Sequence, residues 1–249
     1  MIKIHSIKTQ LILYLGCFAI LLALKDKNAA FLFTTIIALV SAVTIESSVL
    51  YFKRKVFQVT ESSIITGLIV GFVLSSDEVW WKFTLAAGLA ILSKYFIRSP
   101  KKHIFNPAAF GIFLTLIIFG ASTQWKGTYA WYILLPFGIY FVQKIRKIEV
   151  VIGYFIISLT LFGVQAILQK FPLWDIFGFL SYFYIFVMII EPMTSPISQR
   201  EKYLFGACLA GIIFVLTEFG VKFDVELFSL LFMNVFVPIL NKLSVKKGG

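Results

Sequence analysis

The stretch ESSVLYFKRKVFQVTESSIITGLIVGFVLSSDEVW, residues 46–80, decides how this chain is read. An apolar run closes on Lys53-Arg54-Lys55, a shorter run carrying Gly67 and Gly71 follows, and that run closes on Asp77-Glu78. Lys and Arg keep short loops in the cytoplasm, whereas Asp and Glu have little influence on orientation. The basic cluster therefore marks the inner side of a membrane and the acidic turn the outer side. Working outward, apolar segments fall at about 9–24, 29–52, 61–75, 79–97, 107–120, 127–143, 148–168, 174–190, 202–218 and 225–241. The loops between them alternate between strongly basic and nearly neutral. Inner loops and segment ends hold 17 of the 23 basic residues and five of the 12 acids, about +12 net, against about −1 outside. A wrong segment count would scramble that pattern. It predicts an all-α, polytopic protein of the cell (inner, cytoplasmic) membrane, with ten spans and both termini in the cytoplasm.

Composition agrees. Apolar residues make up 59% of the chain and charged ones 14%, with a mean hydropathy of +0.92. Soluble domains average about 45–50% and about 25%. Ten spans consume nearly all 249 residues, so one transmembrane domain over 1–249 is expected, with no separate soluble domain. The net charge of +11 sits in short clusters beside the spans, which explains it by membrane orientation and anionic headgroups and excludes nucleic acid as a partner. Cys17 and Cys208 lie within apolar spans with no Cys–His cluster, so no metal centre is expected from this chain. The first span follows basic residues, but no small-residue cleavage pattern follows it, and it reads as a retained anchor.

Two segments are too short to cross as straight helices. Residues 61–75 contain Ser62, Ser63, Thr66, Gly67 and Gly71, and 107–120 opens on Asn106-Pro107. A bilayer needs about 20 apolar residues, so these read as tilted, broken or re-entrant helices whose exposed backbone must face protein or a cavity. Interrupted spans at matching places in two halves point to a central site. Two inverted five-helix repeats are expected, one over about 9–120 and the other over about 127–242. Leu74-Ser75-Ser76-Asp77 matches Ile190-Glu191-Pro192-Met193, Ala86–Ala90 matches Gly206–Ala210, and Asn106 falls opposite Asn234. Gly67 with Gly71, and Ala207 with Gly211, have the spacing at which small residues let helices approach.

Polar residues in these segments supply the candidate site. Asn106, directly before Pro107, is placed to cap a helix whose N-terminus offers partial positive charge. In Glu191-Pro192-Met193-Thr194-Ser195-Pro196 the prolines forbid regular helix and leave Thr194 and Ser195 to pair the freed backbone. Glu191 borders the apolar stretch, where it either pairs with Arg200 or Lys202 or serves the site. Glu46, the most embedded acid, reads as a polar helix contact near the inner boundary. No nucleophile–base arrangement, phosphate loop or dinucleotide fingerprint is present, so hydrolytic catalysis has no support and no catalytic residue is assigned.

FNPAAFG at 105–111, TGLIVGFVLS at 66–75, and EPMTSP at 191–196 followed by REKYLFGACLAG resemble the RnfD/NqrB family of membrane subunits of ion-translocating electron-transport complexes. The likeness runs in order from about residue 40 to Asn234-Val235-Phe236-Val237-Pro238 and on to about 242. It implies two inverted five-helix repeats, similar to urea and ammonium channels. It also implies redox and membrane partner subunits of an Rnf/Nqr-like complex, with flavin and quinone chemistry coupled to ion movement. Family members carry a long outer loop between spans five and six with a threonine esterified to FMN in an S-x-A-T motif. Here that connection is only Ala121–Gly127, and Gly120-Ala121-Ser122-Thr123 departs from the motif, so covalent FMN at Thr123 is not expected. The resemblance leaves room for noncovalent flavin (FMN or riboflavin), with Asn106, Glu191, Thr194, Ser195 and Asn234 as candidate contacts. The alternative reading is a small-solute channel or transporter using the pseudo-symmetric centre, and a third is a scaffold for another membrane complex.

Overall fold

A computed structural model describes residues 6–99 and 102–245. Its α-helices are α1 (Ile7–Lys25), α2 (Ala29–Arg54), α3 (Glu61–Val73), α4 (Trp80–Phe96), α5 (Pro107–Phe119), α6 (Trp131–Lys144), α7 (Ile148–Gln169), α8 (Gln199–Glu218) and α9 (Val225–Val245). There is no β-strand among the described residues, only two isolated antiparallel bridges. The chain divides into two compact units, Met1–Gly127 and Thr128–Gly249.

Local chemistry sets the boundaries. Ser6, Asn28, Thr60 and Asn106 each accept a hydrogen bond from the backbone N–H three residues on, so four helices begin where the sequence offers a capping side chain. Pro107 occupies the first turn of α5, where its missing N–H costs nothing, and Gly120 closes α5 in the left-handed conformation. Helices α1, α2, α7 and residues 225–242 of α9 are long and apolar enough to cross a membrane. The 13-residue helices α3 and α5 are about 20 Å long at 1.5 Å per residue, well short of a hydrocarbon core about 30 Å thick.

In the first unit α3 lies against α2 through its glycines. A Cβ at Gly67 would stand 2.5 Å from Leu39 Cα, and one at Gly71 would stand 2.6 Å from Thr35 Oγ1. The expected close approach is therefore realised. Phe72 of α3 packs between Phe18 of α1 and Phe31 of α2, with ring centroids 5.6 and 5.4 Å away. Past α3 the chain is extended, and the connection leaving α5 pairs with it. Ser75 donates to Ser122, and Gln124 and Lys126 donate to Val73 and Phe72. These bonds satisfy carbonyls that the short helix leaves open.

In the second unit α7 and α8 cross through Gly153, whose added Cβ would strike the Tyr203 carbonyl, and Gly206, whose added Cβ would strike Val150. The expected Ala207/Gly211 pair is not used, since a Cβ at Gly211 meets nothing within 4 Å. The contact stripe runs one residue away from it. The span expected at 174–190 is not a continuous helix. It resolves into a 3-10 turn at Leu173–Gly178, a break, and a π-helical turn at Tyr184–Met188. Asp175, Gly178 and a run of aromatic and β-branched residues make this the weakest helix-forming stretch of the chain, and tertiary packing shapes it instead.

Candidate functional site

The turn after the π-helical segment gathers most of the polar residues singled out in the sequence. Pro192 and Pro196 stop regular structure, and the turn closes on itself. Thr194 Oγ1 donates to Glu191 Oε2 at 3.0 Å, and Ser195 Oγ donates to the Glu191 carbonyl at 2.7 Å. Asn234, fully buried on α9, donates through Nδ2 to the Thr194 carbonyl at 3.0 Å. Glu191, Thr194, Ser195 and Asn234 thus form one cluster within the second unit.

Three segments converge there. Lys147, in the tight turn between α6 and α7, is 5% exposed, and its Nζ donates to the carbonyls of Pro196 at 2.6 Å and Ser195 at 3.5 Å. Lys202 on α8 donates to the Arg146 carbonyl at 2.7 Å and pairs with Glu149 of α7 at 3.2 Å. Lys202 was one of two cations expected to face Glu191, and it faces Glu149 instead, because α7 and α8 pack directly through their glycines. Arg146 takes a positive φ of 57°, which lets the chain reverse in three residues and aims Lys147 at the proline turn.

In the first unit Asn106 is 2% exposed, and its Oδ1 accepts the Ala109 N–H at 3.0 Å, the cap that the sequence indicated. Glu46 is indeed a helix contact, and a charged one. Its Oε2 accepts Lys94 Nζ at 3.4 Å and Thr60 Oγ1 at 2.8 Å, while Oε1 accepts the Tyr95 hydroxyl at 3.1 Å. Lys94 also donates to Ser62 Oγ at 2.9 Å. A buried ion pair persists only when its remaining lone pairs and protons are satisfied, and here each charge has further partners.

At the other end of this unit the short connection after α5 is pinned. Glu78 accepts both the backbone and the side chain of Ser122, at 2.7 and 2.8 Å, and pairs with Lys82 at 2.6 Å. Burial pushes the Glu78 carboxyl up, but the donors Lys82 and Ser122 outweigh it, and the net pKa lies below the ordinary value. Lys126 pairs with Asp26 at 2.7 Å. Thr123 sits half-buried inside this clasp, bridged to Leu74. The second unit also holds a cavity of about 550 Å³ lined by Trp131, Leu135, Phe155, Trp174, Phe177 and Tyr182. Nothing in the sequence spacing had marked it.

Long apolar helices, short interrupted ones, and polar groups buried at the interruptions define a multi-pass membrane protein of the kind that keeps irregular backbone inside its own packing. The chain belongs to the NQR2, RnfD, RnfE family, whose model matches residues 2–130 and 125–248. It is similar to a membrane-complex protein of Tolumonas auensis named as part of the ion-translocating oxidoreductase complex, 37% identical over 59 residues, which is 24% of this chain and 17% of that one. It is also similar to the protein of the same name from Shewanella amazonensis, 29% identical over 87 residues, 35% of this chain and 25% of that one. The matched stretches thus span no more than a quarter of the length of these curated relatives.

Proposed function

We propose that this chain is an integral membrane subunit of a complex that couples electron transfer to ion movement, working beside partner subunits that carry the redox chain. The family match along almost the whole chain carries this reading, and the names of the two similar proteins give it its chemistry. The chain's own inventory fits a partner-dependent role. No group of three or more potential metal-ligating side chains occurs among the described residues, and electrons cannot cross a bilayer core of about 30 Å without cofactors.

The finer architecture we infer is ten membrane segments in two inverted repeats with cytoplasmic termini. Each half follows the same order, with its third segment short or broken and followed by a non-helical turn at Leu74–Asp77 or Glu191–Pro196. The two family matches meet at residues 125–130, beside the boundary between the units. Single cysteines at Lys53 and Arg146 are expected to react from the cytoplasmic side and those at Asp77 and Lys126 from outside; any reversal overturns the topology.

For a noncovalent flavin or a quinone, the aromatic cavity of the second unit supplies stacking faces for a planar ring and hydroxyls from Thr128 and Tyr182. The Asn234 turn and Asn106 remain candidate polar contacts of the two halves. The test is to purify the chain with its associated proteins and record flavin absorbance before and after denaturation. Deleting the gene should abolish ion uptake driven by reduced donor in inverted vesicles. A chain that purifies alone, colourless, and conducts a small solute in liposomes refutes the redox reading in favour of transport.

A further inference from the structure

We propose that the main-chain carbonyls closing the 191–196 turn form a binding site for a monovalent alkali cation, filled in this structure by the ammonium group of Lys147. The inference rests on the ion-translocating reading and deepens it, by naming the class of ion and one place where it binds.

A lysine head at 5% exposure in an apolar protein is costly unless it gains close partners. The Lys147 head meets carbonyl oxygens, those of Pro196 at 2.6 Å and Ser195 at 3.5 Å. These oxygens are available because the two prolines keep residues 192–196 out of regular helix. The neighbouring Thr194 carbonyl is directed into the same turn and held by Asn234, which fixes the geometry of the cluster.

Neutral carbonyls in unwound backbone are the ligands that bind Na⁺ and K⁺ in membrane proteins, whereas divalent cations require carboxylates or retain water. An alkyl-ammonium is similar in size and equal in charge to a potassium ion, so an oxygen cluster that holds one can hold the other. Lys147 stands beside Arg146, whose left-handed backbone ends the turn, and its four-carbon stem can withdraw the head. The tethered ammonium then acts as a built-in competitor: a free cation enters when Lys147 leaves, and leaves when Lys147 returns.

The test uses the full chain purified in detergent, comparing wild type, Lys147→Met and Lys147→Arg. Thermal unfolding is followed in potassium, sodium, magnesium and choline chlorides at one ionic strength. Lys147→Met should melt well below wild type in choline and regain the larger part of that loss, saturably, in potassium or sodium but not in magnesium. Wild type and Lys147→Arg, which keep a tethered charge, should show no such selectivity. Equal melting of Lys147→Met in all four salts overturns the proposal, as does a preference for magnesium. Failure to recover folded Lys147→Met even from potassium-rich cells into potassium buffer overturns it as well. Because the readout is on the isolated chain, failure here leaves the complex-subunit reading standing, and loss of that reading leaves this result intact.

Discussion

Replacing Lys94 by Met should strand Glu46 between α2 and α4. The two side chains are 8% and 7% exposed, so water does not compensate for the lost partner. Removing one member of a buried pair costs about 3–5 kcal/mol. The Glu46 carboxylate would keep donors at Thr60 and Tyr95, which places the expected cost near the lower end, about 3 kcal/mol. At roughly 2–4 °C per kcal/mol for a chain of this size, the melting temperature should fall by about 6–12 °C. Adding Glu46→Gln removes the orphaned charge and leaves an amide that Thr60 and Tyr95 can still satisfy. The double variant should therefore be more stable than Lys94→Met alone. The assay is a double-mutant cycle by thermal unfolding in one detergent, at one pH and salt. A double variant that loses the sum of the two single losses would refute the pairing as an energetic unit.

Gly206→Ala should destabilise by about 1–3 kcal/mol, because its Cβ meets the Val150 backbone, while Gly211→Ala should stabilise by about 0.5–1 kcal/mol, since open space surrounds it. Melting curves of the two variants decide between this crossing and the Ala207/Gly211 face. Asn106→Ala should cost about 0.5–2 kcal/mol of stability through loss of the α5 cap. Titration of flavin against that variant shows whether the cap also touches ligand, since an unchanged affinity leaves Asn106 purely structural. The folded pKa of Glu78 lies below its ordinary 4.5, so its clamp contributes stability above that value, lost as pH falls through the folded pKa. Glu78→Gln should flatten this acid-side loss in a pH series of melting temperatures; an unchanged acid slope contradicts the clamp.

Much of the fold was legible because it depends on local chemistry. The Asn106-Pro107 start of α5, the shortness of α3 and the Gly67/Gly71 contact all follow from capping, length and side-chain size within one segment. What escaped depends on partners distant in sequence. Glu46 and Lys94 are 48 residues apart, and Lys202 reaches Glu149 across 53. Loop lysines read only as orientation signals gave no hint that Lys147 and Lys202 turn inward. The 174–190 segment is apolar enough to pass for a helix, yet Gly178 and its aromatic neighbours yield to packing. Four of the five candidate site residues divide between one turn and the α9 position facing it, and that grouping was visible in the interrupted spans. The lysine anchoring the turn was not.

The clasp between the end of α3 and residues 122–126 also bears on how the protein is made. The oxygens that α3 leaves open receive their donors from the last stretch of the first unit, after α5 has been inserted. Synthesis proceeds from the N-terminus, and units fold as they emerge. The first unit is therefore completed by its own closing residues, before most of the second has left the ribosome. Glu78 and Asp26 wait as acceptors for Ser122 and Lys126, and those bonds commit the unit as a finished insertion intermediate.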